Sequence, residues 1–550
     1  MSNAALYFHP DGYDTTGPQL LGRHSAGESF LRGFLRHGDV PAFEFLNVTR
    51  KAVKAGDELV RRIHPTEKDI IWRQSRAEVR SVGVLNMPVP ALDEESWNRA
   101  IYGDTAYALC GITHTTATDR VMRTLAQYFL APVREFDALI CTSTAVRDST
   151  EAQLSGIREF LTESCGPRRA PEPLRVTIPL GVNVDDFRTS EADRRAWRER
   201  LDIPEDGIVA LYVGRFNFRA KMNPALMALA LEQAARRTGR KLYWVNSGWA
   251  GVGGEKEEAA FHEPVRELCP SVEYRHIDGR PADVRFSIWS VADLFISFSD
   301  NIQETFGLTP VEAMAAGLPC VVTDWDGYKD TVRHGQDGFR IDTWAPAPGE
   351  GGDLAYAFQA GWLNYDNYVG ATGQFTAIDY PRAVEAIVAL AEDEGLRRRM
   401  GASARQRARE VFDWAAVIPQ YQALWAEQNA RRRAAPPAPP RKGNPFRPDP
   451  FALFEGYPTA TMGLHWRVGA AAGVAWEDVE PVLKSPLATY SNHHRPSLAE
   501  AQHIFEWLSA NGSATVTEVL AACPQGRRPF LRRGILWMAR FGALALTPTP

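Results

Sequence analysis

The sequence predicts an α/β protein in which two doubly wound parallel-sheet domains face each other across a cleft and a small, mainly helical, winged-helix-like domain follows. Short apolar runs alternate with amphipathic helical patterns over two successive stretches, 1–183 and 184–402. A proline-rich segment then interrupts the chain, and three helical patterns follow it. Apolar runs of this kind, separated by helices, are typical of strands buried on both faces of a parallel sheet.

The predicted strands are the short apolar runs themselves. The clearest are 5–8, 138–141, 208–213, 242–245, 294–298 and 319–323, with helices between them that include 224–237 and 311–316. In open sheets of this type ligands bind at the carboxyl ends of the strands. We therefore expect the ligand-binding side chains to follow those strand ends.

The remaining segments are assigned by pattern and composition. Residues 403–433 predict one long helix that packs back on the two domains, and the prolines of 434–450 predict an extended linker. Residues 451–550 form the appended domain, with helices predicted at 498–510, 516–522 and 529–541. The segment 342–379 interrupts the second domain, either as a surface insertion or as a lid or partner-binding segment.

The composition is that of an ordinary globular protein. The chain has 550 residues, 45% of them hydrophobic and 23% charged, and a net charge of −5, which excludes a disordered chain and a global field for nucleic acid. The six cysteines include no Cys-x-x-Cys pair, and no apolar run approaches the ~20 residues of a membrane span. The first residues lack a signal-peptide pattern, so we expect a cytoplasmic protein.

The segment 297–328 is the most informative part of the chain. We predict a strand end near Ser299, a loop, and a helix with Thr309 as its N-cap, Pro310 as its first residue and Glu312 closing a capping box. Glu304 lies eight residues before Glu312, so both carboxylates could reach sugar or ribose hydroxyls. The free N–H groups of the helix start would suit a phosphate.

This segment resembles the donor-site signature of family-4 glycosyltransferases, retaining enzymes of the GT-B fold with two Rossmann-like domains. The resemblance covers most of residues 100–428 and extends more weakly over 1–99. It implies that Glu304 contacts the donor sugar and Glu312 the nucleotide ribose. It also implies that the backbone at Phe306, Gly307, Leu308 and Thr309 approaches the diphosphate or the sugar.

A second match begins at a predicted strand end. Gly214 ends the strand, Arg215 follows directly, and Lys221 comes six residues later. A planar guanidinium and an ammonium suit a diphosphate. The resemblance implies that Arg215 and Lys221 neutralise the leaving group.

Three further matches lie closer to the N-terminus. The resemblance places His114 at the donor sugar, and it assigns Gly22 and Arg23, after Gly17, to a loop opposite the donor phosphates. Arg23 could instead pair with a neighbouring glutamate. The hinge at 175–187 carries Leu180 where the family usually has asparagine.

We predict no resident metal and no cofactor. Asp324-Trp325-Asp326 has the spacing of a metal–nucleotide motif, but it follows a late strand of the second domain, which favours a loop or acceptor-side role. No other His, Cys or Asp spacing predicts a metal site, and no glycine pattern supports a dinucleotide oxidoreductase.

The predicted function is transfer of a sugar from a nucleotide-diphosphate-sugar donor to a glycan, a lipid-linked or another hydroxyl acceptor, as in polysaccharide biosynthesis. Basic residues at 50–80 predict either a solvated helix face or a peripheral membrane contact. Two alternatives stay open. One is a regulator whose arginine-rich last helix binds nucleic acid or protein, and the other is an epimerase or phosphorylase of the same fold.

Overall fold

The computed structural model describes residues 3–15, 22–48, 53–166, 171–251 and 254–549, without the side chains of residues 22–24 and 492. It forms two compact units, Met1–Asn444 and Pro445–Pro550. In the described residues, every helix is too short or too polar to cross a lipid bilayer.

The first unit begins with a parallel sheet in the order β3-β2-β1-β4-β5-β6-β7. Its strands are Ala5–Phe8 (β1), Ala42–Asn47 (β2), Asp69–Arg73 (β3), Val84–Asn86 (β4), Ala108–Ile112 (β5), Ala138–Cys141 (β6) and Leu174–Thr177 (β7). Strands β4, β5 and β6 are buried at every position, which is why their sequences are continuous apolar runs rather than alternating ones.

Helices connect these strands and cover the sheet. They are Gly22–His37 (α1), Val53–Ile63 (α2), Arg76–Val82 (α3), Leu92–Ala100 (α4), Asp119–Gln127 (α5) and Thr144–Cys165 (α6). Side-chain oxygens of Thr118 and Ser143 cap the starts of α5 and α6. All neighbouring strands of this sheet run parallel, as the alternating pattern predicted, so the chain crosses over the sheet between them.

A second parallel sheet follows in the order β10-β9-β8-β11-β12-β13. Its strands are Ile208–Val213 (β8), Leu242–Gly248 (β9), Glu273–Asp278 (β10), Leu294–Ser297 (β11), Cys320–Thr323 (β12) and Gly338–Ile341 (β13). The order places β8 beside β11, so the loops after these strands meet at one edge. The two sheets confirm the predicted pair of Rossmann-like domains.

Ten α-helices accompany this sheet in the described residues, and two of them, α13 and α14, belong to the 342–379 insertion. The ten helices are Glu191–Arg200 (α7), Ala225–Thr238 (α8), Gly254–Leu268 (α9), Ala282–Ser287 (α10), Leu308–Ala315 (α11), Tyr328–Thr331 (α12), Gly352–Gln359 (α13), Tyr365–Gly373 (α14), Tyr380–Glu392 (α15) and Glu394–Arg407 (α16). The insertion is not an irregular loop, because α13 and α14 lie between the paired strands Thr343–Trp344 (β14) and Ala377–Ile378 (β15).

The chain crosses between the sheet domains at 178–183 and returns at 408–414. The single helix predicted over 403–433 is wrong: α16 ends at Arg407, a π-helical turn spans Ala408–Phe412, and Trp414–Ala434 (α17) begins anew. Asp413 causes the break, since its extended backbone (φ −66°, ψ 140°) caps α17. The crossings pair through Val182 N–H to Phe412 C=O, 2.8 Å, and Trp414 N–H to Val182 C=O, 3.1 Å.

Helix α17 packs on the first domain. The Gln428 amide donates to the carbonyls of Leu109 (2.8 Å) and Phe136 (3.0 Å). Beyond α17, the Arg441 guanidinium binds Asp104 at 2.8 Å, so the proline-rich segment stays attached to this unit as far as residue 444.

The second unit is helical with a small antiparallel sheet. Its elements are Pro450–Leu453 (α18), Arg467–Ala470 (β16), Trp476–Lys484 (α19), Pro486–Thr489 (α20), Leu498–Asn511 (α21), Ala514–Thr515 (β17), Val516–Ala521 (α22), Arg528–Arg540 (α23) and Leu544–Thr547 (β18). Strand β16 lies between β17 and β18. The last helices match the predicted ones closely, and β16 and β17 are strands that the sequence did not predict.

Arg527 and the arginines of α23 that directly follow it make intramolecular contacts rather than one free cationic face. Arg527 binds Glu500 at 2.7 Å, and Arg528 and Arg532 donate to the backbone carbonyls of Cys523 (3.1 Å) and Met462 (2.9 Å). Arg533 lies over the Phe530 ring. These contacts do not favour nucleic-acid binding by this helix.

We expect Gly181→Ala to destabilise the first unit by about 1–3 kcal/mol, the usual cost of overpacking. A Cβ at Gly181 would lie 2.5 Å from the Trp414 ring, whereas one at Gly156, an exposed glycine in α6, meets nothing within 4 Å. Gly156→Ala is the matched control and should raise stability by up to about 1 kcal/mol. Thermal unfolding monitored by circular dichroism measures both, and equal shifts would contradict the assignment of Trp414 as a close-packed joint.

Candidate active site

The loop after β8 carries the predicted cations. A Cβ at Gly248, the end of β9, would lie 1.8 Å from the Gly214 carbonyl, so the two strand ends approach too closely for a side chain. Phe216 N–H then bonds Trp249 C=O at 2.9 Å, and Asn217 Oδ1 accepts the N–H groups of Arg219 and Ala220 at 3.0 and 2.8 Å. This Asx turn directs the chain back to the cleft.

Lys221 and Glu304 form the central ion pair. The Lys221 ammonium lies 2.5 Å from Glu304 Oε2, and the two side chains are only 22% and 11% exposed. Arg215 is half-buried on the same loop, and no hydrogen bond or ion pair of its guanidinium is found among the described residues. The structure therefore brings together three of the predicted residues.

Asn301 holds the glutamate loop in place, and it is a site residue that the sequence analysis did not select. Its buried amide donates to the carbonyls of Arg219 (2.5 Å) and Val369 (3.3 Å), and its own carbonyl accepts the Trp325 indole at 3.1 Å. One side chain thus ties the cation loop, the glutamate loop and α14 together. Its position between the end of β11 and the two glutamates is the sequence feature that could have indicated this role.

The predicted capping box at Thr309 is wrong. Helix α11 begins at Leu308, its N-cap is Gly307 with φ +85°, and no side chain caps it. Only glycine adopts this conformation readily, and a Cβ at Gly307 would also lie 2.2 Å from the Tyr328 ring. Glu312 consequently lies on the second turn and leaves the first N–H groups without a side-chain acceptor.

The carboxylates around the cleft differ in their pKa. Burial raises the pKa of Glu304, but the Lys221 ammonium and the backbone N–H groups of Thr305 and Phe306 outweigh it and lower the pKa. Burial raises the pKa of Glu312 to about 7. Burial, and then the Glu304 charge, raise the pKa of Asp326 to about 8.

The first domain meets this site through the loop after β5. His114 Nε2 lies 2.9 Å from the Pro88 carbonyl, and the His114 carbonyl accepts a hydrogen bond from the Thr305 hydroxyl. A second contact joins Ser143 Oγ to Asp326 Oδ1 at 3.4 Å. His114 is therefore next to the glutamate loop, and its predicted contact with a donor sugar stays a prediction.

Most of the predicted glycine loop lies outside the described residues. Gly17 and the Arg23 side chain lie outside the described residues, and Gly22 is the first residue of α1. The close approach is found at other glycines: a Cβ at Gly27 would lie 2.0 Å from the Gly12 carbonyl.

A mostly apolar cavity of about 270 Å³ opens beside His114 in the first domain. It is lined by Asp11, Gly12, Tyr13, Ala26, Gly27, Phe30, Asn86, Pro88, Val89, Ile112, His114, Leu180, Trp414 and Tyr421. Leu180 thus contributes an apolar wall where the resembled family has an amide.

The insertion reaches across the cleft. Val369 of α14 is buried with Ala117 of the first domain and Ala220 of the cation loop. The Tyr365 and Thr115 hydroxyls lie 3.5 Å apart. The contacts favour the lid interpretation of 342–379.

The Asp-x-Asp motif serves local structure. Asp324 pairs with Arg340 at 3.2 Å, and Asp326 has φ +45°. Across the described ranges, neither joins a group of three potential metal ligands. One such group of potential ligands lies elsewhere, at Glu258, His262 and His276, on a helix and a strand whose proximity no sequence spacing indicated.

The basic residues of 50–80 are largely paired. Among the described ones, Arg61 binds Asp57 (2.8 Å), Arg62 binds Asp14 (2.9 Å), Arg73 binds Glu44 (2.8 Å) and Arg76 binds Glu95 (2.5 Å). This pairing favours the solvated face over the membrane contact.

Comparison with known proteins identifies the second domain. Residues 193–346 match the model of a family described as glycosyl transferases group 1. Two similar proteins are D-inositol 3-phosphate glycosyltransferase 2 of Catenulispora acidiphila, 31% identical over 40% of this chain and 53% of its own length, and D-inositol 3-phosphate glycosyltransferase of Streptomyces scabiei, 30% identical over 32% and 39%. The chain thus spans about half the length of these curated relatives or less.

Solved structures give a likeness over a larger share of the chain. HepE of Anabaena in complex with UDP and glucose covers 77% of this chain and 99% of its own, at 16% identity and a TM-score of 0.48. A glycosyltransferase from Rickettsia africae covers 78% and 98%, at 14% identity and a TM-score of 0.48. The second sheet domain thus matches the group 1 glycosyl transferase family, and the two parallel sheets agree with the fold that the resemblance implied.

We expect Glu312→Gln to stabilise the protein progressively as the pH rises. The pKa of Glu312 is about 7 in the fold, above its ordinary value, so the folded state holds the proton more tightly and wild-type stability falls as the pH rises towards 7. Glutamine does not titrate, and the difference between the two proteins should grow by about 1–3 kcal/mol from pH ~5 to ~8. Urea unfolding across this range measures it. Glu350→Gln, at an exposed insertion residue, is the control, and a pH-independent difference at Glu312 would contradict the assignment.

Proposed function

We propose that the protein transfers a sugar from a nucleoside diphosphate-sugar to an acceptor hydroxyl with retention of configuration at the anomeric carbon. The observation that carries this proposal is the largely buried Lys221–Glu304 pair, on the loop that also carries Arg215 and on the loop that leads into α11. Cations, a sugar-binding carboxylate and free N–H groups converge there at the ends of β8 and β11.

The donor diphosphate would bind the positive side of this site. Arg215 offers a planar fork and Lys221 a compact charge, and both would stabilise the negative charge that develops on the leaving diphosphate. The backbone N–H groups of Leu308 and Thr309 add the dipole of α11. Gly214 and Gly307 allow the Tyr212 and Tyr328 side chains to pack directly against the backbone of the two loops.

The two glutamates would bind the rest of the donor. Glu304, kept ionised by Lys221, accepts hydrogen bonds from sugar hydroxyls, and Glu312 contacts the ribose. His114 approaches the sugar from the first domain, because its carbonyl is bonded to Thr305 beside Glu304. Between the two glutamates in sequence, Phe306 is buried against the Phe412 ring and anchors the glutamate loop.

Retention is proposed through attack on the face that the diphosphate leaves. The leaving phosphate oxygen takes the proton of the acceptor hydroxyl, so no protein base is assigned. Arg215 and Lys221 supply the positive charge, and we propose that transfer needs no added divalent metal.

The direct test is product analysis with UDP-, GDP-, ADP- and CMP-sugars, with and without acceptors. Thermal shift selects the donor, and proton NMR of the product reports the anomeric configuration. A glycoside with retained configuration supports the proposal, whereas an inverted product, an epimerised donor or a phosphate-dependent reaction overturns it in favour of another activity.

We expect Arg215→Ala to lower kcat by about 10²–10³ while the melting temperature stays unchanged, because its charge acts in the transition state and its guanidinium has no described ion pair. Lys221→Ala should lower kcat similarly and also destabilise the fold, since Glu304 then stays buried without its partner. Arg219→Ala, an exposed arginine of the same loop, is the control. Wild-type turnover in Arg215→Ala would remove this residue from the mechanism.

We further propose that the acceptor binds in the cavity beside His114. Apolar and aromatic side chains form most of its described lining, which suits a ring face or an alkyl portion of a glycan or lipid-linked acceptor. The relatives' names add inositol 3-phosphate as a compound to compare with alkyl and aryl glycosides.

We expect Val89→Trp to raise the KM for the acceptor by about 10-fold or more and to leave donor binding unchanged, because the larger ring fills part of the cavity. Val89 is 42% exposed, so the fold should tolerate the change. Ile101→Trp, at an apolar residue that is also exposed and is not part of this lining, is the control. Steady-state kinetics at saturating donor measures the effect, and an unchanged KM would exclude the cavity as the acceptor site.

A further inference from the structure

A second cluster of chemically active side chains lies where α9 meets the edge strand β10. Glu258 and His262 are four residues apart on α9 and therefore share a face of the helix. His276 belongs to β10, and its ring stacks on that of His262 with 4.3 Å between centroids. One ligand atom from each of the three residues lies within 4.8 Å of the other two.

His262 carries the strongest evidence that this cluster has a ligand. The residue is 2% exposed, its Nδ1 is bonded to the Tyr274 hydroxyl, and its Nε2 has no hydrogen-bond partner among the residues that the structure describes. Glu258 Oε1 lies 4.0 Å from Nε2, beyond hydrogen-bonding distance. A buried nitrogen left in this way is costly unless something binds it.

The outer contact of His262 has the form found around metal ligands. When Nδ1–H donates to the Tyr274 oxygen, the Nε2 lone pair points towards the other two side chains. A hydrogen bond that fixes the tautomer and orientation of an imidazole is the usual support of a metal-binding histidine.

We propose that Glu258, His262 and His276 bind a divalent transition metal ion of the zinc class. Two imidazoles and one carboxylate, with a water molecule as fourth ligand, are a common donor set for tetrahedral zinc. Calcium and magnesium prefer all-oxygen sites, so the donor set selects against them.

The Arg266 guanidinium competes with the proposed metal for His276. Arg266, on the next turn of α9, lies 3.4 Å from His276 Nδ1, and its guanidinium stacks over the Tyr274 ring at 5.5 Å. Arg266 is exposed, so it can move into solvent when the metal binds.

The site is structural with respect to the proposed transfer. The Phe216 ring packs edge-on against His262, with 4.4 Å between centroids, and Phe216 directly follows Arg215. A bound metal fixes His262 and so supports the loop that carries the donor cations. The proposal does not depend on the transferase function, and its test is independent of activity.

The experiment uses the full-length chain, stripped of metal, in a Cys165→Ser background that removes the exposed thiol. Zinc is titrated by calorimetry and cobalt(II) by its visible absorption, which reports tetrahedral nitrogen and oxygen ligation. We expect one ion to bind, a higher melting temperature with zinc, and a loss of affinity of about 10–100-fold or more in His276→Ala and Glu258→Gln. Both residues are partly or fully exposed, so these variants should fold, which circular dichroism checks.

Two further variants sharpen the test. Glu263→Gln, an exposed glutamate of α9 outside the cluster, should bind zinc like the parent chain, and Arg266→Ala should bind it more tightly. Unchanged zinc affinity in both His276→Ala and Glu258→Gln, an equal loss in Glu263→Gln, or a cobalt spectrum dominated by thiolate bands would overturn the proposal. Failure of sugar transfer in any variant has no bearing on it, because metal binding is measured directly.

Discussion

The arrangement of the first unit depends on Trp414, which joins the two chain crossings to α1. The indole is 1% exposed and donates to Ser29 at 2.8 Å, and Gly33 and Gly181 leave no space for a side chain against its ring. The paired crossings next to it hold residues 182 and 413 together. Because every route between the sheets passes this joint, it sets the distance across the cleft. Trp414 also forms a wall of the cavity beside His114, so one residue shapes both the joint and the proposed acceptor site.

The cleft places acidic side chains close to the proposed position of a negatively charged diphosphate. A diphosphate carries negative charge, yet Glu304, Glu312 and Asp326 all lie near its proposed position. Burial raises the pKa of Glu312 and Asp326, which reduces their charge at neutral pH, and only Glu304 has a paired ammonium. Under the proposed function, a bound donor would share Lys221 between Glu304 and its phosphate. Its sugar hydroxyls would replace part of what Glu304 loses, and the sugar and the diphosphate would then depend on each other in binding.

The sequence was sufficient for the elements whose pattern is local. The runs at 5–8, 138–141 and 208–213 are strands with those bounds, and the Glu304 and Lys221 segments meet as the family resemblance implied. The start of α11 was not predictable in this way, because capping preferences favoured Thr309 whereas the backbone of Gly307 already begins the helix. Asn301 and the zinc-class cluster depend on strand order, since His276 lies on a strand that only the fold places beside α9. Such contacts join residues far apart in sequence and have no local pattern.

The contacts between the sheet domains suggest how the cleft can open and close. Away from the Trp414 joint, those that cross it are mainly single hydrogen bonds at the rim, such as Thr305 to His114 and Thr144 N–H to Asp330 at 2.6 Å. A neutral bond such as Thr305 to His114 is worth about 0.5–1.5 kcal/mol net, and one to a carboxylate about 1.5–3 kcal/mol, so breaking them costs little compared with disrupting a packed core. Helix α14 adds a small apolar contact through Val369 and Ala117. Asn301 bonds α14 to the Lys221 loop, so the insertion stays with the second domain when that contact separates. Under the proposed function, donor binding at Lys221 and closure over the first domain would act on the same segment, and occupancy of the donor site would be coupled to exclusion of water.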